Sequence, residues 1–258
     1  MPRRHDRDAA GPHDVLHAKA ALREEVWRAM DTKGIARFPS PDGRIPNFVG
    51  AEAAAEALAQ TDEWAHAQTI KANPDAPQLP VRIRALQDGK LLYMAVPRLA
   101  GRDPFYVLDP ARLTDPPRKA ATIKGAARSA RTVGLDEMEP VDLVVAGCVA
   151  VGEDGDRLGK GGGFSDLELA LAAAAGLVGA RTVFATTVHD VQLRPPGTIP
   201  VTSHDFPIDL IATPTRVLRP RRASGKSRRR LPRLDWRILA DEKIASIPLL
   251  EAMRPARG

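Results

Sequence analysis

The chain has 258 residues, 43 % of them hydrophobic, enough for one large α/β domain or two small ones. A single cysteine, Cys148, excludes a disulfide framework and a cysteine-rich zinc site, and 4 % aromatic residues leave little for stacking along a nucleic-acid strand. The net charge of +6 is concentrated: Arg216, Arg219, Arg221, Arg222, Lys226, Arg228, Arg229 and Arg230 outnumber it by themselves, so the rest of the chain is slightly acidic. The run reads either as a solvated basic loop at 219–230 or as a weak attractor of nucleic acid.

Residues 1–13 are expected to be disordered, and 14–258 to form a single domain. The first residues lack the apolar core of a secretory signal, and no stretch approaches the roughly 18 apolar residues of a membrane span. A cytoplasmic protein is the expectation. A helix should start near His13 or Asp14 and run to about Met30, with Leu22, Val26 and Met30 as its apolar stripe and Trp27 widening it. On that helix Lys19 and Arg23 lie one turn apart; they are either a solvated face or two cations aimed at one phosphate. A turn-rich stretch covers 38–47. An alanine-rich helix follows over Ala51–Ala59, then a short strand over 65–71 ended by Asn73-Pro74-Asp75.

Pro80 should open a helix that Gly89 closes. Strands are expected over Leu91–Val96 and Phe105–Leu108, and a helix around Lys119–Ala130. The apolar run Val141–Val151 reads as one buried strand, with Cys148 a small core residue within it. Further strands are expected over Arg181–Thr186 and Ile208–Thr213, and a terminal helix from Asp241 with Ile247, Leu250 and Met253 as its stripe. His189 and Asp190 fall just past a strand end, in a cleft or merely in a loop; His204 and Asp205 are a weaker pair of the same kind. Strands alternating with helices argue for an α/β fold with a mainly parallel sheet, which places ligands beyond the carboxyl ends of its strands.

One segment carries most of the chemistry: Gly155-Asp156-Arg157-Leu158-Gly159-Lys160-Gly161-Gly162-Gly163-Phe164-Ser165-Asp166. It joins a strand to the start of the helix containing Leu167–Leu171. There, backbone N–H groups and the helix dipole favour a phosphate, and glycines let it approach without Cβ clashes. Arg157 and Lys160 add positive charge, and Asp166 in the first turn suits a magnesium ion. The spacing matches neither the Walker loop nor the dinucleotide fingerprint.

The segment Arg157–Asp166 after its strand, together with Lys19-Ala20-Ala21-Leu22-Arg23 on the first helix, resembles the 5-formyltetrahydrofolate cyclo-ligase (methenyltetrahydrofolate synthetase) family. Further similarity lies in Ile45-Pro46-Asn47-Phe48, Ile70–Asp75, Asp205–Asp209 and Glu242-Lys243-Ile244, which look most like the domain-containing branch. The resemblance covers residues 16–255. It implies a three-layer α/β/α fold of the NagB/RpiA/CoA transferase-like type. It also implies closure of 5-formyltetrahydrofolate to 5,10-methenyltetrahydrofolate with ATP and Mg2+, with a reduced folate as partner. Lys19, Arg23, Arg157 and Lys160 then serve catalysis. Together with Gly159, Gly161, Gly162, Gly163, Phe164 and Asp166 they hold the nucleotide. Asp166 and Asp209 would hold the metal, and Met94, Phe164 and His189 would meet the substrate, Met94 being equally readable as core and Asp209 as a turn cap. The family's Tyr-Tyr-Asp is Phe164-Ser165-Asp166 here, which removes two phenol hydroxyls and one aromatic ring from the folate side. A related ATP-dependent ligase for another amide or carboxylate, or a non-catalytic RNA-associated protein reusing the fold, are the alternatives.

Overall fold

The computed structural model describes residues 12–202, 205–220, 231–234, 236 and 239–254. Nine α-helical segments are present among them: α1 (Pro12–Thr32), α2 (Ala51–Ala59), α3 (Asp62–His66), α4 (Leu79–Gln87), α5 (Pro117–Ala120), α6 (Ile123–Ser129), α7 (Phe164–Ala174), α8 (Asp241–Ala245) and α9 (Pro248–Met253). The strands are β1 (Thr69–Ala72), β2 (Leu91–Ala95), β3 (Phe105–Leu108), β4 (Arg131–Val133), β5 (Leu143–Val145), β6 (Ala150–Gly152), β7 (Arg157–Leu158), β8 (Val183–Thr187), β9 (Leu193–Arg194), β10 (Leu210–Ala212) and β11 (Val217–Leu218).

Eight strands form the main sheet in the order β11-β10-β8-β5-β1-β2-β3-β4. The run from β10 to β2 is parallel, and antiparallel pairs close it at both sides. Side chains alternate across this sheet as the strand period demands. Tyr93, Ala95, Val144, Phe184 and Ile211 face a core shared with α7, α8 and α9. Ile70, Ala72, Leu92, Met94, Leu143, Val145 and Ala185 face a second core shared with α2, α4 and α6. The molecule is therefore a three-layer α/β/α sandwich. A third core lies under α1, where Val26 and Met30 are fully buried against Phe48, Val149 and Leu158. Each such side chain contributes about 1.5–3 kcal/mol by leaving water.

Local chemistry explains the boundaries. Pro80 lies in the first turn of α4, and Gly89, at φ 75°, ends it by donating to the Leu86 carbonyl while Lys90 donates to that of Ala85. This is the left-handed glycine cap. The helix expected over 119–130 is two helices, because the Thr122 hydroxyl caps α6 by accepting from the Gly125 amide at 2.9 Å. The terminal helix is likewise divided into α8 and α9. Residues 62–66, of which 65 and 66 were expected in the first strand, form α3, capped by Thr61.

The apolar run 141–151 is not one strand. Its first part, β5, belongs to the main sheet; its last part, β6, pairs with β7 and β9 in a separate three-stranded sheet. The chain changes sheets at Gly147, where a Cβ would lie 2.9 Å from both Gln78 Oε1 and Ile45 Cγ2. Apolarity reports burial, and both parts are buried; it does not report which sheet a strand joins. As a result Gly155 is not part of a phosphate loop. It turns the β6–β7 hairpin at φ 91°, and a Cβ there would meet the Ile208 carbonyl oxygen at 2.4 Å. Gly155→Ala is expected to lower the unfolding free energy by about 2–3 kcal/mol, read from urea denaturation, because it adds both left-handed strain and a backbone clash.

Candidate active site

The hairpin delivers Arg157 beneath the loop Gly159–Gly163, and the loop runs into α7. Gly163 caps that helix at φ 68° and Gly161 stands at φ 97°, both backbone states that a side chain resists. No side chain caps the helix start, so its first amides face the open loop with the positive end of the dipole. Arg157 is buried against the back of this loop. A Cβ on Gly159 would lie 3.1 Å from one of its terminal nitrogens. Asp166 Oδ1 accepts from its guanidinium at 3.2 Å, and the ring of Phe206 lies 4.4 Å from its Cζ. Burial disfavours its charge, but Asp166, then Cys148 and Asp205, outweigh that and hold its pKa above the ordinary arginine value. Its Nε is buried without a hydrogen-bond partner among the described residues.

Lys19 and Arg23 approach the loop from α1. Arg23 donates from Nε to the Gly159 carbonyl at 2.7 Å, and its Cζ would be 3.3 Å from a Cβ on Gly161. Lys19 pairs with Asp205 at 2.5 Å, and Asp205 also accepts from the Thr202 amide. Arg23 therefore supports the loop from behind, Lys19 is held by Asp205, and neither lines the cavity in front of the loop. Lys160 points forward, pairing with Asp75 at 2.7 Å.

That cavity measures about 610 Å³ and lies beyond the carboxyl ends of β1, β2 and β5. It falls within the size range of small-molecule sites. Gly159–Gly163, Phe164, Ser165, Asp166 and Arg157 form one wall, and Asn73, Asp75 and Arg82 another. Between them runs a polar chain that sequence reasoning missed. Lys71 of β1 pairs with Glu168 of α7, both at most 4 % exposed, and Lys71 also donates to Asn73 Oδ1 at 3.4 Å. Asn73 in turn donates to the Ser165 hydroxyl at 2.8 Å. Burial raises the Glu168 pKa, with Lys71 acting against that. The signal was a charge inside each of two apolar runs, Thr69–Ala72 and Leu167–Ala172. Arg82 is buried and donates to the carbonyls of Asn73, Asp75 and Ala121; burial pulls its pKa down to about 10.

Three expected site residues lie elsewhere. Met94 is fully buried in the core beneath α4, so its strand parity turns it away from the cavity. His189 caps a 3-10 turn, its Nδ1 accepting from the Val191 amide at 3.1 Å and its ring lying edge-on to Phe48. Asp209 precedes β10, at the amino ends of the parallel strands, where its Oδ2 accepts from the Phe184 amide at 2.9 Å. It cannot join Asp166 at a metal placed at the opposite ends. Among the described residues no three His, Cys, Asp or Glu side chains cluster as metal ligands. Arg219 belongs to the body of the protein, in a double contact with Glu63 at 2.8 Å. Residues 221–230 and His204 lie outside the described residues. No helix among the described residues is long and apolar enough to cross a membrane.

The family model described as "5-formyltetrahydrofolate cyclo-ligase family" matches residues 15–214, which include most of α1, the glycine loop and both walls of the cavity. The chain belongs to the 5-formyltetrahydrofolate cyclo-ligase family. It is 38 % identical over 239 residues to the methenyltetrahydrofolate synthase domain-containing protein of Bos taurus, covering 92 % of this chain and 62 % of that protein. The Homo sapiens protein of the same name is 38 % identical over 245 residues, with 94 % and 63 % covered. The chain thus spans less than two thirds of these relatives. Its fold is similar to that of the Aquifex aeolicus 5,10-methenyltetrahydrofolate synthetase, with a TM-score of 0.52 at 19 % identity, covering 80 % of this chain and 95 % of that one.

Lys71→Met strands a buried carboxylate and is expected to cost about 3–5 kcal/mol in chemical denaturation, most of which Lys71→Met/Glu168→Leu restores. His189 is held below its ordinary pKa of 6.5 mainly by burial, with Asp190 opposing. Below pH 6.5 the unfolded chain takes up a proton that the folded imidazole does not, so stability falls as pH drops through that window. His189→Asn should flatten the slope of melting temperature against pH between about 6.5 and 5.

Proposed function

We propose that this chain closes 5-formyltetrahydrofolate to 5,10-methenyltetrahydrofolate at the expense of ATP, releasing ADP and phosphate. The observation that carries the reading is the open glycine loop at the start of α7, backed by the buried Arg157 whose Nε has no hydrogen-bond partner among the described residues. A triphosphate fits it: loop amides and the helix dipole face one anion, and the guanidinium behind the loop adds its positive charge.

The chemistry asks for positioning and charge neutralisation rather than a protein nucleophile. The formyl oxygen attacks the γ-phosphorus, and the bond to ADP breaks. Folate N10 then attacks the formyl carbon and loses its proton, and the carbon–oxygen bond breaks with phosphate as leaving group. Lys160 faces the cavity from the loop, while Arg23 holds the loop's shape from behind and Lys19 is paired with Asp205. Magnesium carried on nucleotide phosphates keeps most of its waters and needs only one or two protein carboxylates. Asp166 and Asp75 both line the cavity and fit that requirement. Phe164 offers one aromatic face to the substrate. The hydroxyl of Ser165 is already engaged by Asn73, so a pterin would be read by the Asn73–Lys71–Glu168 chain rather than by a second ring.

The test is ATP-dependent formation of the methenyl product, followed by absorbance, with Mg2+ present and then chelated. Turnover lost on chelation supports the reading. Binding of Mg-ATP without turnover would assign the chain to another amide or carboxylate substrate, and absence of both would favour a non-catalytic, RNA-associated role. Asp166→Asn should lower kcat by about 100-fold or more, and Lys160→Ala should raise the KM for ATP by about 10-fold.

A further inference from the structure

We propose that Arg98 and Lys243 form a clamp at the lip of the cavity for the carboxylates of the substrate's tail. The proposal rests on the folate reading above for the identity of that tail.

Arg98 follows β2 in a 3-10 turn, with φ 61° and ψ 15°, and Leu99 follows it at φ 55°. Two consecutive non-glycine residues in the left-handed region are strained, and glycine or asparagine would relieve the strain at once. Leu99 is 1 % exposed in the core, which anchors the turn. Arg98 is thereby held outward, on the lining of the cavity. Nothing in the turn itself calls for an arginine there, which leaves its side chain as the reason for bearing the strain.

Lys243 comes from α8 to Phe164 and Gly162, two residues of the cavity lining. Its ammonium lies 3.2 Å from the centroid of the Phe164 ring and 3.3 Å from the Gly162 carbonyl oxygen. Burial, then the charge of Arg98, lowers its pKa, so the two cations work against each other. Elsewhere around the loop three cations are paired with carboxylates, Lys19 with Asp205, Arg157 with Asp166 and Lys160 with Asp75, while Arg23 donates to the Gly159 carbonyl. Among the described residues no carboxylate lies within ion-pair distance of Arg98 or Lys243. A bound anion would remove this repulsion and supply both partners.

A carboxylate fits better than a phosphate. The loop amides and Arg157 already form an anion site at the start of α7, whereas Arg98 comes from the connection after β2. Its planar fork matches a carboxylate with two parallel bonds. The glutamate end of a folate carries two carboxylates, joined through an aromatic ring that would run past Phe164.

The experiment uses N-(4-aminobenzoyl)-L-glutamate and 4-aminobenzoate as probes, titrated calorimetrically into the wild-type chain, Arg98→Gln, Lys243→Gln and the double variant. Wild type should bind the glutamate conjugate at least about 10-fold tighter than 4-aminobenzoate, and each substitution should remove about 10-fold of that, with Mg-ATP affinity unchanged. Lys243→Arg should retain the preference. In turnover, Arg98→Gln should raise the KM for 5-formyltetrahydrofolate and leave that for 5-formyltetrahydropteroate, which lacks glutamate, unaltered. Equal wild-type affinity for the two probes, or no binding of either, overturns the clamp. Loss of Mg-ATP affinity with probe binding intact overturns it too and reassigns the cations to phosphate. Since the probes need no turnover, an inactive wild-type chain would refute the cyclo-ligase reading without deciding this one.

Discussion

A single buried guanidinium organises the site. Arg157 stands behind a loop with almost no side chains of its own, and a five-residue stretch containing four glycines has no intrinsic reason to keep one shape. Its shape comes from what surrounds it: Arg157 under Gly159, Arg23 bonded to the Gly159 carbonyl, and α7 fixing its far end. Burying a charge is costly unless it is paired, and Asp166, with the electrostatic help of Asp205 and the ring of Phe206, meets that cost. The second sheet has a clear use in this light. The β6–β7 hairpin brings Arg157 out of the main sheet and under the loop, which a strand continuing straight from β5 could not do.

The floor between the two walls of the cavity is organised by a buried ion pair. Lys71 and Glu168 join the sheet to α7 directly, and the pair continues through Asn73 to Ser165. Where the family pattern places a second tyrosine, this chain places a hydroxyl held by an amide. The small residue at 165 leaves room for this polar chain in the floor. Such a floor presents hydrogen-bonding groups in fixed positions, which favours a ligand with a defined donor and acceptor edge.

The α/β class, with its mainly parallel sheet, and most elements were legible in the sequence because they depend on local patterns; the three layers came from the family resemblance. The period of Leu22, Val26 and Met30, the proline and glycine bracketing α4, and the alanine-rich α2 each carry their signal within one turn or one strand. The loop and the first turn of α7 were legible for the same reason. What failed was non-local. Whether Val149–Val151 continues β5 or changes sheets depends on Ile45 and Gln78, about seventy to one hundred residues upstream. Whether Met94 faces a cavity depends on strand parity against a sheet whose two faces are both apolar, so neither face announces itself. Asp209 was misplaced because an acidic residue beside a strand looks the same at either end of it; only the direction of β10 relative to β8 separates a metal ligand from a cap on the Phe184 amide. Lys71 and Glu168 were each visible as oddities, but the partnership between them exists only in three dimensions.

The borders of the main sheet have a consequence for how the molecule behaves in a crowded solution. A parallel sheet left open at its sides would present rows of unpaired amides and carbonyls to any neighbouring chain. Here the outermost strands are β4, with three residues, and β11, with two, each running against its inner neighbour. Arg131 at the start of β4 is exposed and engaged by Glu137, which puts charge where a foreign strand would have to dock. Edges this short, one of them charged, give little purchase for strand addition, so the architecture that aligns the strand ends into a binding site also discourages sheet-to-sheet aggregation.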